Sequence, residues 1–203
     1  MELENVAIRN IATVIRGPRF SERDKKVVDE NTIQGKIVNW PNLKKMCDGE
    51  NISISPTPIN VIRKYKRDEI YVRQYDIAIP VFPKENGKNI VYIENEMKEN
   101  YIYSELIFIL RINQNSPISS KVLYMLLSSD YYSKLLLDLS NNENAIRYRL
   151  TNEILENISI PILDKLEMDK LQDEYIQIQN LKEKLKIAND KFNIKINNLI
   201  KQK

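Results

Sequence analysis

The C-terminal part of the chain constrains the fold most strongly. From Leu166 to the end there is neither proline nor glycine, and polar residues predominate. Apolar residues recur there at intervals of four, three, three, four, three, four and seven, at Leu171, Tyr175, Ile178, Leu181, Leu185, Ala188, Phe192 and Leu199. This spacing predicts one long helix with a heptad stripe, shortened by a three-residue stammer between Ile178 and Leu181. So narrow a stripe needs another helix, either in a partner chain, which we favour, or in the chain's own domain.

The residues before this helix mix two periodicities. Alternating or continuous apolar runs predict strands, and spacings of three and four predict helices. Strands are predicted at Val6–Ile15, Ile33–Val38, Ile70–Val72, Asp76–Phe82, Ile90–Ile93, Leu106–Ile112 and Ile158–Pro161, and helices at Ser119–Leu139 and after a Thr151 N-cap. Pro80 indicates that its strand lies at an edge or ends there. The predicted fold is a mixed α+β domain over residues 1–162 and a coiled-coil helix over 163–203.

Composition excludes several enzyme classes. The chain has no histidine, so Ser–His and Cys–His activation of a nucleophile are both absent. Cys47 stands alone, so there is neither a disulfide framework nor a cysteine metal cage. Phosphate-binding glycine motifs are missing, as is the Pro-Pro-aromatic signature of amino-group methyltransferases. We therefore expect no catalytic residues, no metal and no cofactor.

Neither a signal peptide nor an apolar stretch of membrane-spanning length is visible in the sequence. We expect a cytoplasmic protein without a membrane partner.

One arrangement offers a catalytic alternative. Asp76, Glu96 and Lys98 follow the D…E-x-K order of many metal-dependent nucleases, in which carboxylates hold Mg²⁺ and the lysine assists. The pair Glu96 and Lys98 lies in a polar stretch, and such a pair arises easily in a chain with 29% charged residues. A solvated loop is the simpler interpretation.

Basic residues are concentrated in separate segments, although the net charge is only +3. Acidic residues gather instead in the long helix and from Glu94 to Glu99. Arginine suits guanine edges, asparagine suits adenine, and lysine suits phosphates. We therefore predict that the chain binds double-stranded DNA. The predicted contacts are Arg16, Arg19, Arg23, Lys25, Lys26, Arg63, Lys64, Lys66, Arg67, Arg73, Lys84, Asn86 and Lys88. A coiled-coil scaffold protein without DNA is the other alternative.

The order of these segments resembles the DNA specificity (S) subunit of type I restriction–modification systems. Tyr75-Asp76-Ile77 is similar to the family's "GDI" strand, with Gln74-Tyr75 where glycine is usual. Gly87-Lys88-Asn89-Ile90 resembles its "GK" turn, and Val122–Ser128 resembles its "YLYYLLSS" helix. Arg147–Pro161 resembles the closing segment with its "I-x-I-P" exit. Ile162-Leu163-Asp164 departs from the family, which continues with a second proline.

The resemblance implies a non-catalytic half-subunit with one target-recognition domain and one spacer helix. The domain would read half of a split DNA site. The helix would dock DNA methyltransferase subunits, with or without a restriction subunit, and would join two copies into a homodimer.

Overall fold

The computed structural model describes residues 4–20, 32–50, 52–60, 69–85, 89–97, 99–141 and 149–201. The chain divides into two units, residues 1–162 and residues 163–203. The first unit mixes strands and helices and the second is one long helix, which confirms the predicted fold class. The strands are β1 (Asn5–Ala7), β2 (Ala12–Arg16), β3 (Thr32–Val38), β4 (Thr57–Asn60), β5 (Ile77–Pro80), β6 (Val91–Tyr92), β7 (Tyr101–Tyr103), β8 (Ile107–Ile112) and β9 (Ser159–Pro161). The helices are α1 (Ile8–Ile11), α2 (Trp40–Cys47), α3 (Ser120–Leu127), α4 (Asp130–Ser140), α5 (Asn152–Glu156) and α6 (Lys165–Lys201).

The domain is built on a four-stranded antiparallel sheet in the order β2-β8-β5-β6. A second sheet has the order β4-β3-β7, in which β3 pairs antiparallel with β4 and parallel with β7. A short β1-β9 ladder joins the two ends of the domain. All of β5 is buried, and so are the first four residues of β8. One apolar cluster includes Leu43 of α2, Ala78 of β5 and Ile109 of β8, so α2 packs against the central strands.

The predicted opening strand is wrong over its middle. Ile8 and Ile11 form one helical turn between β1 and β2. Both side chains are buried, and their three-residue spacing places them on one face of a helix but on opposite faces of a strand. Burying both isoleucines therefore breaks the strand.

The predicted helix Ser119–Leu139 is two helices. The side chain of Ser119 caps α3 by accepting from the Val122 N–H, and the side chain of Ser129 caps α4 by accepting from the Tyr132 N–H. A serine that bonds the backbone ahead of it starts a new helix, so the chain turns at Ser128 and Ser129. Thr151 caps α5 through the Ile154 N–H, as predicted.

Pro80 ends β5, as predicted, but the strand is not at an edge, because β8 and β6 flank it. The predicted strand Ile70–Val72 is reduced to a single bridge between Tyr71 and Ile102. Among the described residues, three elements besides α1 were not predicted: α2, β4 and β7. β4 contains Pro58 and lies at a sheet edge, where a missing N–H is tolerated.

Tyr75 has a left-handed backbone, with φ of 70°. Glycine adopts this conformation without steric cost, whereas in other residues the Cβ lies too close to the following carbonyl oxygen. Tyr75 stands where the resembled "GDI" strand has glycine, and its backbone has a conformation that glycine adopts readily. Its ring stacks on Tyr92, with 6.3 Å between centroids, and Tyr92 stacks in turn on Tyr124 of α3.

The left-handed backbone at Tyr75 leads to a prediction about the stability of two variants. Replacing Tyr75 by glycine or by alanine removes the same ring stack, but only glycine also removes the steric cost, which is about 1–2 kcal/mol. We expect Tyr75→Gly to be more stable than Tyr75→Ala by about 1 kcal/mol, the reverse of the usual order of these two residues. Urea denaturation of the two variants measures the difference. Equal stabilities would contradict this account.

Candidate nucleic-acid interface

Of the predicted DNA-binding residues, Arg16, Arg19, Arg73 and Lys84 lie in the described part of the chain. The remaining ones lie outside the described residues: Arg23, Lys25, Lys26, Arg63, Lys64, Lys66, Arg67, Asn86 and Lys88. The interface is therefore described from these four residues and from the described residues that flank the other predicted contacts.

Arg16 and Arg19 surround the turn between β7 and β8. The Arg16 guanidinium lies over the Phe108 ring, 5.7 Å from its centroid, and its Nε donates to the Glu105 carbonyl at 3.1 Å. Arg19 forms an ion pair with the Glu105 carboxylate at 3.5 Å, yet 84% of its side chain is exposed. Such an exposed pair is weak, so the Arg19 guanidinium stays available to a ligand. Gly17 permits this path, since a Cβ there would lie 1.9 Å from the Ser104 carbonyl oxygen.

Lys84 lies on the turn between β5 and β6, and its side chain is exposed. Asn89 closes this turn from the far side. Its Oδ1 accepts from the Lys84 N–H and its Nδ2 donates to the Lys84 carbonyl, both at 2.9 Å. Asn89 is buried, so both ends of its amide are used structurally. Sequence analysis missed this role, although an asparagine beside Gly87-Lys88 is typical of a turn.

Three of the described basic residues share one end of the four-stranded sheet. Arg16 ends β2 opposite Phe108, and Pro80 ends β5 opposite Ile107. The chain therefore leaves both strands at the same end, toward Arg19 in one case and toward Lys84 in the other. Arg73 lies toward the opposite end, because its backbone bonds Asp76 just before β5 begins.

The residues that flank the two other basic segments are also neighbours. Phe20 precedes residues 21–31, and it packs in the same apolar cluster as Ile70, which follows residues 61–68. Thr32 and Asn60, at the other ends of these segments, are paired across β3 and β4. The chain thus enters and leaves both basic segments at adjacent positions.

Asp76, the first residue of the nuclease alternative, is 1% exposed and fully engaged. Arg111 of β8 binds it with two donors, Nε to Oδ1 and Nη2 to Oδ2, each at 2.8 Å. The Tyr103 hydroxyl and the Arg73 N–H also donate to Oδ2, at 3.1 and 3.0 Å. Arg111 further donates to the Tyr71 carbonyl. This cluster ties β5, β7 and β8 to the segment before β5.

The charges of this cluster shift the pKa of the groups around Asp76. Burial and the adjacent carboxylate raise the pKa of the Tyr103 hydroxyl well above its usual value. Burial alone would lower the pKa of Arg111, but the hydrogen bonds and charge of Asp76 outweigh it, so the pKa rises. Both shifts favour a neutral tyrosine and a charged arginine around one carboxylate. Asp76 is thus a structural anchor.

The other members of the nuclease alternative do not complete a metal site with Asp76. Glu96 is exposed, and Lys98 lies outside the described residues. Within the described ranges, no group of three or more carboxylate, cysteine or histidine side chains could hold a metal ion.

The predicted stripe lies on α6, which spans 37 residues, or roughly 55 Å at 1.5 Å per residue. Leu171 and Tyr175 are partly buried, and Ala188 is exposed. Ile178, Leu181, Leu185 and Phe192 are between 49% and 64% exposed. Leu199 falls within the helix, but its side chain is outside the described ones. Among the described residues, no helix is both long and apolar enough to cross a membrane.

No protein-family model matches the chain, and no curated protein does. Its fold, however, is similar to solved structures. It is similar to a chain from a structure of the type I R-M system that concerns complex assembly and conformational transition, with a TM-score of 0.57, 17% identity, and 97% of this chain and 43% of that one covered. It is also similar to the HsdS subunit from Thermoanaerobacter tengcongensis, with a TM-score of 0.51, 17% identity, and coverage of 91% and 39%.

These comparisons define the fold. A mixed α/β domain followed by one long helix is shared with the HsdS subunit, which confirms at the level of fold the resemblance seen in the sequence. The chain spans about two fifths of the length of these structures, 43% and 39%.

Proposed function

We propose that the chain is a DNA sequence-specificity subunit of a type I restriction–modification system or of a related methyltransferase complex. It reads one half of a split DNA site and docks methyltransferase subunits, with or without a restriction subunit. It has no catalytic residue of its own. One observation carries the proposal: 97% of the chain, domain and helix together, follows the fold of a chain from a type I R-M system.

In this proposal, basic residues of the domain make the DNA contacts. Arg16, Arg19 and Lys84 share one end of the four-stranded sheet, and the segments containing Arg23 and Arg63 begin and end at adjacent positions. In the proposal, Lys64, Lys66 and Lys84 bind phosphates, because an ammonium is a point charge without base specificity. Arg19, Arg63 and Asn86 read bases, because their side chains offer paired hydrogen-bonding groups.

The helix supports an antiparallel homodimer. From Lys165 to Asn180 it has four acidic and two basic residues, whereas from Leu181 to Lys201 it has two acidic and six basic residues. An antiparallel pair brings each acidic half against a basic half, and a parallel pair brings like charges together. Two copies joined in this way present two identical domains, so the DNA site would be palindromic.

The alternatives fit less well. The nuclease needs a free Asp76 carboxylate, but that carboxylate accepts hydrogen bonds from Arg111, Tyr103 and the Arg73 backbone. A coiled-coil scaffold without DNA would account for the stripe on α6 but leaves the basic segments of the domain without a role.

A salt titration of DNA binding tests the proposal. Each lysine that neutralises a phosphate releases a counterion, so Lys66→Ala should weaken binding to target and scrambled duplexes alike and lower the salt slope by about one unit. Arg63→Ala should cost about 1–3 kcal/mol on the target and relax preference at one base pair. The full chain is titrated with its methyltransferase partner present, at two salt concentrations.

Lys134→Ala is the matched control, since Lys134 is an exposed lysine on α4, a helix that contains none of the predicted DNA contacts. It should leave both affinity and salt slope unchanged. If Arg63→Ala and Lys66→Ala behave like the control, the basic segments are solvated surface and the DNA interface lies elsewhere. If the wild-type complex shows no salt-dependent DNA affinity, the proposed function itself fails.

A further inference from the structure

Two large apolar side chains are exposed at the end of the four-stranded sheet where Arg16 leaves β2. Phe82 is 37% exposed and Leu106 is 45% exposed. The backbone holds them close, because the N–H of Val81, the residue before Phe82, donates to the Leu106 carbonyl at 2.9 Å. They come from two different turns, so no local pattern in the sequence indicates that they are neighbours.

Basic residues from the Phe82 turn and from two other places in the chain lie near this apolar pair. Arg149 is exposed, and the next residue, Leu150, donates its N–H to the Val81 carbonyl at 2.8 Å. Lys84 follows Phe82 on the same turn. Arg16 and Arg19 contact Glu105, which precedes Leu106. We call these residues the end patch: Arg16, Arg19, Phe82, Lys84, Leu106 and Arg149.

The charge of the end patch favours an anionic ligand. Among the described residues, its four basic side chains are accompanied by two nearby acidic ones, Glu85 and Glu105, and Glu105 is already paired with Arg19. The core of an interface between proteins is depleted in charged residues, whereas DNA interfaces are strongly positive. Apolar side chains within a basic surface have a defined use on DNA, since they contact the 5-methyl group of thymine in the major groove.

We propose that the end patch contacts duplex DNA directly, with Phe82 and Leu106 packing against thymine methyl groups and with Arg149 on a phosphate. This inference rests on the proposed function. It adds to that function a base-contacting apolar pair and a phosphate contact that the charge pattern of the sequence did not reveal. The reading of a thymine methyl here is a matter of shape and apolar contact and uses no hydrogen bond.

The experiment changes the protein and the DNA separately. Wild-type full chain selects duplexes from a random pool at low salt, and the selected duplexes are then remade with uracil in place of single thymines. Uracil lacks only the 5-methyl group, so one such change should weaken wild-type binding about fourfold, the equivalent of one buried methyl. Phe82→Ala or Leu106→Ala should bind more weakly and lose this discrimination. Arg149→Ala should keep the discrimination but lower the salt slope by about one unit.

Matched controls come from α4, which supplies no residue of the end patch. Tyr131→Ala removes an aromatic side chain that is 70% exposed, and Lys134→Ala removes an exposed charge. Both should bind as wild type does. Thermal unfolding of each variant shows whether it is folded, and the uracil comparison with wild-type protein needs no variant at all.

The outcomes separate this inference from the proposed function. If wild type binds DNA but no uracil change weakens binding, or if the end-patch variants match the controls, the inference is wrong and the function stands. The same holds if the variants lose a protein partner while keeping DNA binding. If the wild-type chain binds no duplex at low salt even with its methyltransferase partner present, the function fails and the inference fails with it.

Discussion

Asp76→Ala should lose about 3–5 kcal/mol of unfolding free energy, the typical cost of removing one partner from a buried ion pair. The carboxylate is 1% exposed and accepts four hydrogen bonds, two of them from Arg111. Without it, the Arg111 guanidinium and the Tyr103 hydroxyl remain in a poorly solvated site with no acceptor in place of the carboxylate. Asp76→Asn should lose less, because the amide keeps one acceptor and the shape of the side chain.

Urea denaturation measures both variants, with Glu96→Ala as the control. Glu96 is exposed, so its loss should change stability by less than about 0.5 kcal/mol. The nuclease alternative assigns Asp76 and Glu96 to the same metal site. In the structural interpretation, only Asp76 contributes to stability. Mg²⁺-dependent DNA cleavage that either Asp76→Ala or Glu96→Ala abolishes, with stability unchanged, would overturn the structural role of Asp76.

The role of Asp76 shows where sequence analysis reaches its limit. The strand that begins at Ile77 was predicted, because a continuous apolar run is a local signal. The partner Arg111 lies 35 residues away on β8, and the pairing depends on the register Ile77–Leu110 between two strands. No local pattern carries that register, so sequence analysis left a catalytic carboxylate open as an alternative and did not predict a buried anchor.

The errors in the helices have a different cause, because both concern local capping signals. The long helix was predicted from Leu166 onward and is found at Lys165–Lys201, because helical spacing is repeated over its whole length. The break at Ser128 and Ser129 depends on one capping hydrogen bond, which competes with continuation of the helix. The helix α2 was missed although Asn39 followed by Trp40-Pro41 is a local start signal, with the cap residue before a proline in the first turn.

Sequence analysis indicated only part of the candidate interface, because strand pairing brings its residues together. Clusters of charge are visible in the sequence, and they pointed to Arg16, Arg19 and Lys84. Arg149 was not singled out as a contact, because Arg147 is the one other basic residue close to it in sequence. Only the hydrogen bond from Leu150 to Val81 places it beside Phe82. A surface that several turns assemble at a sheet end follows from strand pairing, which local charge does not reveal.

Leu185→Asp should abolish the proposed homodimer at micromolar concentration. Leu185 belongs to the stripe on α6, and its side chain is 62% exposed in the single chain. In a helix pair it would be buried, so a carboxylate there would have to lose its water without gaining a partner, at a cost of several kcal/mol per copy. Two copies of the change in one dimer double the effect. Because one factor of ten in Kd corresponds to about 1.4 kcal/mol, the expected loss exceeds a thousandfold.

Ile187→Asp is the matched control for this prediction. Ile187 is also exposed, at 48%, and lies two residues away on the same helix, but about 200° around it from Leu185. It introduces the same charge at nearly the same place without entering the stripe, so the dimer should survive. Sedimentation of both variants and of the wild type across a concentration series measures the assembly, and circular dichroism checks that α6 stays helical. A wild-type chain that is monomeric at high micromolar concentration would refute the homodimer. Equal loss of assembly in both variants would show that the contact involves more of the helix surface than the stripe.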